Sequence, residues 1–322
     1  MLSKLLSSEN KKISEIVEQM RKNWRDIYWW KLNIHQLYFR LKGNKRAIRV
    51  TDEDWDNLII LDACRYDLAK SILGDIVDYR YSLGSSTDEF LIKNFANSKF
   101  YDIVYVTANP FVDKLVKKSF YRVISVWKLE WDEKINTVHP KAVFKYALLA
   151  EKKYPDKRLI IHFIQPHIPF IKDPELTNYD FYKRFKEIEK RNIISSIKTP
   201  WTEARRGNLD IKRVWRAYKR NLEVVLPYAI ELAKRLKGKT VITSDHGNAF
   251  KRLLFPVPII ISGHPSGIYI PDLIKVPWIV FEKNTQKKIR VGEKCYKEKI
   301  KRIAKKIALT KMKKSIPLSE LR

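Results

Sequence analysis

Two apolar runs along the chain have the pattern of buried strands, and an acidic residue follows each of them. Residues 57–61 read Asn-Leu-Ile-Ile-Leu and precede Asp62, while residues 240–243 read Thr-Val-Ile-Thr and precede Asp245 by one serine. Continuous runs of this kind are typical of strands covered on both faces, as in a parallel sheet. If the two strands are parallel neighbours, both acids leave the sheet at the edge where open α/β sheets bind ligands.

Helical patterns alternate with the strand patterns. Apolar residues at helical spacing run from Tyr218 to Leu236, and Gly238 then supplies a helix stop. The other predicted elements are helices at 67–73 and 140–153 and strands at 103–106, 123–126 and 158–164. Residues 255–265 read as a further buried segment that ends at a histidine. This alternation predicts an α/β fold with a mostly parallel central sheet between helices.

The residues after the second run carry candidate chemistry. Asp245 and His246 offer a carboxylate and an imidazole to one cation. A structural interpretation is also open, in which Asp245 caps a turn, His246 is a hydrogen-bonded polar residue and Gly247 allows a tight bend. His162 lies within the predicted strand 158–164, which favours an internal polar residue over a ligand.

A loop at residues 82–91 leads into a helix and carries Ser85, Ser86 and Thr87. A hydroxyl at a helix N-terminus lies near unsatisfied N–H groups, and a nearby cation would lower its pKa. Hydroxyl residues before Asp-Glu are equally typical of an ordinary helix cap. Arg65, in the loop after the first strand, has a guanidinium suited to phosphate or sulfate oxygens, or to a structural salt bridge.

Five short motifs occur in a fixed order along the chain: Leu61–Asp67, Gly84–Thr87, Gln165–Phe170, Ser244–Gly247 and Gly263–Pro265. As an ordered set they resemble the sulfatase-like branch of the alkaline phosphatase superfamily, over roughly residues 55–281. The resemblance implies an alkaline phosphatase-like fold, whose mostly parallel central sheet is sandwiched by helices. Basic helical extensions would flank this fold at the N-terminal and C-terminal ends of the chain.

The resemblance also implies a metal site and the residues around it. The implied metal ligands are Asp62, Thr87, Asp245, His246 and His264. Thr87 is the implied nucleophile, with Ser86 and then Ser85 as the alternatives. Arg65 and His167 are implied to hold the esterified oxyanion or to assist the leaving group.

Mixed oxygen and nitrogen ligands favour Zn²⁺ first and Mn²⁺ second, with Mg²⁺ and Ca²⁺ as further alternatives. Two-zinc members of the superfamily carry an Asp-x-x-x-His motif, which this sequence lacks. One metal, or one metal and a weaker second ion at His264, is therefore expected. Sulfatases that form formylglycine carry a Cys-x-Pro-Ser-Arg pattern, whereas Cys64 is followed by Arg65, Tyr66 and Asp67, so formylglycine is not expected.

The chain is strongly basic. Its 322 residues hold 65 Lys and Arg against 36 Asp and Glu, a net charge of +29. This excess predicts attraction to polyanions, namely phosphorylated or sulfated substrates, anionic lipid or nucleic acid. The alternative is a solvated surface rich in Lys and Glu, of the kind found in heat-adapted proteins. That alternative does not explain why the basic residues outnumber the acidic ones.

Three regions are predicted. Residues 1–50 form a basic, aromatic helical preface, residues 51–285 an α/β catalytic domain, and residues 286–322 a basic helical tail. Within the domain, residues 171–215 have the character of an insertion with a charged helix near 181–191, which could cover the site or serve as scaffold. The preface combines tryptophans with cations, which suits an anionic membrane surface or, less well, single-stranded nucleic acid. In a third interpretation the tryptophans fill the core and the cations reach water.

No apolar run approaches the ~20 residues that a membrane-spanning helix needs, and the N-terminus lacks the apolar stretch of a signal peptide. A cytoplasmic protein, or one peripheral at the inner membrane surface, is expected. The leading hypothesis is a metal-dependent hydrolase or transferase of phosphate or sulfate esters, with a surface glycan or polysaccharide as one candidate substrate. The alternative is a non-catalytic protein of the same fold that binds anionic membrane or nucleic acid.

Overall fold

Strands and helices alternate along the chain, as the apolar pattern predicts. The computed structural model describes residues 14, 18–21, 23–177, 198–283 and 287–291. The strands are β1 (Asn57–Leu61), β2 (Asp78–Tyr81), β3 (Phe100–Thr107), β4 (Phe120–Ser125), β5 (Trp131–Asp132), β6 (Thr137–Val138), β7 (Arg158–Phe163), β8 (Thr240–Thr243), β9 (Ala249–Leu253), β10 (Ile259–Gly263) and β11 (Lys275–Phe281). The α-helices are α1 (Ile27–Lys42), α2 (Tyr66–Leu73), α3 (Thr87–Phe95), α4 (Pro110–Leu115), α5 (Val126–Leu129), α6 (Pro140–Lys153), α7 (Pro200–Arg205), α8 (Ile211–Arg235) and α9 (Pro271–Ile274).

Seven strands form the central sheet in the order β2-β11-β8-β1-β7-β3-β4. The neighbours from β8 to β4 are parallel to one another, while β11 is antiparallel to both β8 and β2. The predicted parallel pairing of the two apolar runs is confirmed, because Ile60 of β1 lies opposite Thr243 of β8. The carboxyl ends of β1, β7, β8 and β3 therefore meet at one edge of the sheet.

Both faces of the sheet are covered, which explains why its strands read as continuous apolar runs. In β1, Ile59 and Leu61 pack into the core that also contains α6 and α8. Leu58 and Ile60 point to the opposite core, beneath α3. The predicted fold class, a mostly parallel sheet between helices, is confirmed by this arrangement.

A two-stranded ribbon of β9 and β10 lies outside the central sheet and packs against α1. The prediction that residues 255–265 form one buried segment is wrong in part, since Phe255 and Ile260 are 70% and 38% exposed. Phe255 lies in the connection between β9 and β10, and Ile260 lies on the face of the ribbon opposite to Ile259 and Ile261, which pack into the core with α1. His35 of α1 ties the helix to the ribbon through its Nε2, 2.8 Å from the carbonyl oxygen of Val257.

The predicted preface, insertion and tail are described only in part. The charged helix predicted near 181–191 and the tail beyond residue 291 lie outside the described residues. The last five residues of the predicted insertion belong to α8, which begins at Ile211 with Asp210 as its N-cap and packs into the core. In the preface, Trp24 is 63% exposed, so the interpretation that all the tryptophans fill the core is wrong for it.

None of the helices in the described ranges is both long and apolar enough to cross a bilayer.

Candidate active site

The two acids predicted from the strand ends meet at the carboxyl edge of the sheet. Asp62 follows β1, and Asp245 and His246 follow the neighbouring strand β8. Ligand atoms of these three buried residues lie within 4.8 Å of one another. They are the one such cluster of His, Cys, Asp and Glu in the described residues.

The spacing of these atoms suits a single cation. His246 Nε2 lies 3.4 Å from Asp245 Oδ2 and 3.7 Å from Asp62 Oδ1. Tetrahedral zinc, with bonds of about 2.0–2.2 Å, separates its ligand atoms by roughly 3.4 Å. Within the described ranges, Asp62 Oδ1 is buried without a hydrogen-bond partner. A bound cation would satisfy this oxygen, so the residues present fit a divalent metal.

The orientation of the His246 ring also favours a bound metal. Its Nδ1 lies 2.7 Å from the carbonyl oxygen of Gly247, which accepts the Nδ1 proton. Nε2 then faces the carboxylates of Asp62 and Asp245. A ring fixed through its other nitrogen is the usual state of a metal-binding histidine.

The pKa values of the two carboxylates also favour a bound cation. Burial and the neighbouring charge of Asp245 raise the pKa of Asp62 well above its ordinary value. Burial also acts to raise the pKa of Asp245, but the favourable charge interactions with His246 and His162 outweigh it and the pKa falls. Two buried carboxylates in one site repel each other, and a cation between them would remove that cost.

Two serines hold the strand-end loops in place. Ser244 Oγ lies 2.6 Å from the carbonyl oxygens of both Leu61 and His246, and it accepts the Cys64 N–H at 2.8 Å. Ser82 donates to the backbone carbonyl of Asp245. These bonds fix the loops after β1 and β8 relative to each other, so the acids are positioned before any ligand binds.

The three candidate hydroxyls have different environments. Thr87 Oγ1, in the first turn of α3, lies 2.8 Å from Asp245 Oδ2 and 3.1 Å from His246 Nε2. Ser86 Oγ donates to Asp88 Oδ1 at 2.5 Å. Ser85 Oγ lies 3.0 Å from Glu89 Oε2 and 2.9 Å from the Pro265 carbonyl oxygen. Of the three, Thr87 alone is hydrogen-bonded to the candidate metal ligands.

Two more histidines lie above this cluster. His167 Nδ1 is 2.7 Å from the carbonyl oxygen of Ile168, which assigns the proton to Nδ1. His264 Nε2, 2.9 Å from His167 Nε2, is then the donor in that pair. Burial lowers the pKa of His167 to about 4 and also lowers that of His264, so both rings are neutral.

His264, implied as a further ligand, stacks on the His246 ring with centroids 4.4 Å apart. It lies outside the group of three that could hold one ion. A cavity of about 80 Å³ opens beside these rings, larger than a single water needs. Its lining residues are Asp62, Ser86, Thr87, Asp88, Asn109, Phe111, Ile164, His167 and His264.

Arg65 is bound elsewhere. Its Nε lies 2.7 Å from Asp67 Oδ1, and its Nη1 lies 3.1 Å from Asp272 Oδ1 and 2.8 Å from the Asn248 carbonyl oxygen. Arg65 is absent from the lining of the cavity beside the histidines. These contacts favour the structural salt bridge, and the oxyanion role stays a prediction.

We expect Arg65→Ala to lower the free energy of unfolding by about 1.5–3 kcal/mol, because it leaves charged hydrogen-bond partners unpaired. Metal content and KM for an ester substrate should not change. Urea unfolding and steady-state kinetics of the variant test this. A large rise in KM at unchanged stability would instead support contact between Arg65 and the oxyanion.

The sequence interpretation missed Asn109, and it assigned His162 only as an internal polar residue of its strand. Asn109, just beyond β3, donates to Asp62 Oδ2 at 2.6 Å and orients that carboxylate. His162 in β7 has its Nδ1 3.0 Å from the Tyr105 hydroxyl, and its Nε2 is 3.7 Å from Asp62 Oδ2 and 3.9 Å from Asp245 Oδ2. A polar residue after the predicted strand 103–106 was the available signal for Asn109, since that strand ends at the same edge.

Similarity to known proteins is found among solved structures. No protein-family model matches the sequence, and no curated protein does. Among solved structures, the integral membrane lipooligosaccharide phosphoethanolamine transferase A (EptA) of Neisseria meningitidis is similar at 14% identity and a TM-score of 0.44, covering 87% of this chain and 60% of that protein.

Two further structures are similar. One is the C-terminal periplasmic domain of EptC from Escherichia coli in complex with Zn, at 10% identity and a TM-score of 0.44, covering 71% of this chain and 72% of that one. The other is a protein in the alkaline phosphatase superfamily from Vibrio parahaemolyticus, at 12% identity and a TM-score of 0.37, covering 71% and 60%. Likeness at this level establishes no activity, substrate or partner for the present chain.

Proposed function

We propose that this protein is a metal-dependent enzyme that transfers the phosphoryl or sulfuryl group of an anionic ester to Thr87 and then to water or another alcohol. One observation carries the proposal. The Thr87 hydroxyl at the N-terminus of α3 donates to Asp245 Oδ2 and lies 3.1 Å from His246 Nε2, inside a buried cluster in which Asp62 Oδ1 has no hydrogen-bond partner among the described residues. Asp62, Asp245 and His246 would hold that metal, with zinc as the first candidate.

The arrangement supports nucleophilic attack by Thr87. A divalent cation held by the three ligands would lower the pKa of the hydroxyl and offset charge on the ester oxygens. Asp245 Oδ2, at 2.8 Å, accepts the Thr87 proton as the Oγ1 bond to phosphorus or sulfur forms. The ester P–O or S–O bond breaks, and the leaving oxygen takes up one proton from solvent. Water or an alcohol then attacks the phosphorus or sulfur and releases its proton to solvent, while the Thr87 Oγ1 bond breaks and Oγ1 takes back the proton held by Asp245.

The histidine pair suits contact with the substrate anion. His264 Nε2 now donates to His167, and an ester oxygen in the cavity could replace His167 as the acceptor. The N-terminal end of α3 adds the positive end of a helix dipole at the same place. Hydrogen-bond donors fixed before the reaction stabilise charge that develops in the transition state.

The test is turnover of aryl esters by the purified full chain before and after metal removal. The substrates are an aryl phosphate monoester, an aryl phosphodiester and an aryl sulfate, each with and without added glycerol as an alcohol acceptor. We expect bound metal, turnover of at least one ester, loss of turnover on chelation and recovery on adding back Zn²⁺ or Mn²⁺. Glycerol should divert part of the product if transfer competes with hydrolysis.

A chain that carries no metal, and turns over none of these esters with Zn²⁺ or Mn²⁺ present, would contradict the proposal. That result would favour the non-catalytic alternative, in which the same fold serves binding through its basic surface. Turnover that survives complete metal removal would contradict the metal dependence but not the ester-cleaving activity.

A further inference from the structure

Helix α1 has a stripe of large apolar side chains on its solvent side. At 100° per residue, the five positions fall within an arc of roughly 80° on the helix surface. The stripe consists of Ile27, Trp30, Ile34, Leu37 and Leu41, which are 70%, 36%, 41%, 55% and 80% exposed. Contiguous exposed apolar surface of this kind marks an interaction site rather than ordinary surface variation.

The stripe is not the face that attaches α1 to the protein. Phe39 packs with the ribbon residues on the other side of the helix, where His35 is fully buried. Gln36 Nε2 donates to the Ser266 carbonyl oxygen at 2.9 Å. These contacts fix how α1 is rotated and hold the stripe outward, so the helix has two apolar faces and only one is covered by the described chain.

Positive charge surrounds the stripe. From Ile27 to Thr51 the sequence contains no acidic residue, and its basic residues are Lys31, Arg40, Lys42, Lys45, Arg46 and Arg49. Just before α1, Arg25 lies over the ring of the exposed Trp24 at 4.3 Å from its centroid. Exposed tryptophan, aliphatic side chains and an excess of cations on and beside one helix, with Asp26 at its N-cap as the adjacent acid, are the features of a helix lying in a membrane interface.

We propose that α1 docks this protein on an anionic membrane surface, with the stripe inserted at the boundary between headgroups and acyl chains. The cations beside the stripe would then contact lipid phosphates. A second copy of the chain fits less well, because pairing two stripes brings together two segments without acids on a protein of net charge +29. Nucleic acid also fits less well, because four of the five stripe residues are aliphatic and cannot stack on bases.

Vesicle flotation of the full chain tests this, without substrate and therefore independently of the proposed reaction. We expect binding to vesicles of phosphatidylcholine mixed with phosphatidylglycerol, and much weaker binding to phosphatidylcholine alone or in high salt. The variant Ile34→Gln/Leu37→Gln/Leu41→Gln should bind the anionic vesicles about tenfold or more weakly, because it removes apolar surface without changing charge.

The matched control changes three apolar residues elsewhere: Ile76→Gln/Leu129→Gln/Leu149→Gln, at positions that are 60%, 60% and 51% exposed. It should bind like the unchanged chain. Tryptophan fluorescence should shift to the blue on vesicle binding, and the shift should shrink in Trp24→Phe/Trp30→Phe.

Two outcomes would overturn the proposal. In one, both triple variants bind the anionic vesicles as well as the unchanged chain does. In the other, the unchanged chain does not float with them, and loss of self-association or of binding to single-stranded nucleic acid in the stripe variant then identifies the partner of the stripe.

Discussion

Replacing Asp245 with asparagine is expected to remove the bound metal and to lower ester turnover by about a thousandfold or more. The carboxylate serves two partners at once, because Oδ2 faces both His246 Nε2 and the Thr87 hydroxyl. Asparagine puts an amide nitrogen, which cannot ligate a cation, where one of the two oxygens lies. Metal analysis of the purified variant and kinetics with an aryl ester measure both effects.

The Asp245 variant should remain folded. Oδ1 accepts the backbone N–H groups of Ala63 and His246, both at 3.0 Å, and the asparagine oxygen can keep these bonds. Asp102→Asn is the matched control, since Asp102 forms an ion pair with Arg158 near the opposite edge of the sheet. That control should keep its metal and its turnover. An Asp245 variant with normal metal content and normal kcat would disprove the site.

Thr87→Ala is expected to abolish the covalent intermediate and to lower turnover by about 10⁴-fold or more, the scale seen when a nucleophile is removed. Metal binding should survive, because Asp62, Asp245 and His246 are unchanged. Loss of turnover with metal retained separates a nucleophile from a ligand. Mass spectrometry of rapidly quenched enzyme should find the phosphoryl or sulfuryl group on the peptide that contains Thr87, and not in the alanine variant.

The neighbouring hydroxyls provide controls for Thr87. Ser86→Ala should change turnover by less than tenfold, roughly the effect of losing one hydrogen bond near the site. Ser85→Ala removes bonds to Glu89 and Pro265 and should act on stability instead. Thr87→Ser keeps the hydroxyl and should retain measurable turnover. If Ser86→Ala rather than Thr87→Ala eliminated the intermediate, the nucleophile would be Ser86.

The sequence predicted the interior of the fold well. The predicted strands at 57–61 and 240–243 and the helix at 140–153 have the observed bounds of β1, β8 and α6. These elements are signalled strongly because burial on both faces of the sheet requires unbroken apolar runs, and because Pro140 marks a helix start. The start of helix α8 was predicted less accurately: α8 begins at Ile211, seven residues before the predicted Tyr218.

The ribbon shows where periodicity fails. The apolar stretch before His264 reads as a buried segment, but in the structure it forms a connection that exposes Phe255 and then β10, which pairs with β9 outside the central sheet and exposes Ile260. Composition cannot report pairing partners, since an apolar strand can be buried by a sheet, by a helix or by another molecule. Helix α1 is a second example, because it has two apolar faces with different roles. Only the packing of His35 and Phe39 shows which of these faces is attached to the protein.

By itself, the sequence determined that Asp62 and Asp245 stand at the carboxyl ends of buried strands and that Thr87 begins a helix, because these features depend on local pattern. The tertiary structure decided which neighbours they have. His162 Nε2 lies 3.7 and 3.9 Å from the two carboxylates because β7 is the strand beside β1, and Arg65 is paired with Asp272 because the short helix α9, far along the sequence, lies beside it. Strand order and long-range approach come from the packing of the whole chain, which no short stretch of residues encodes.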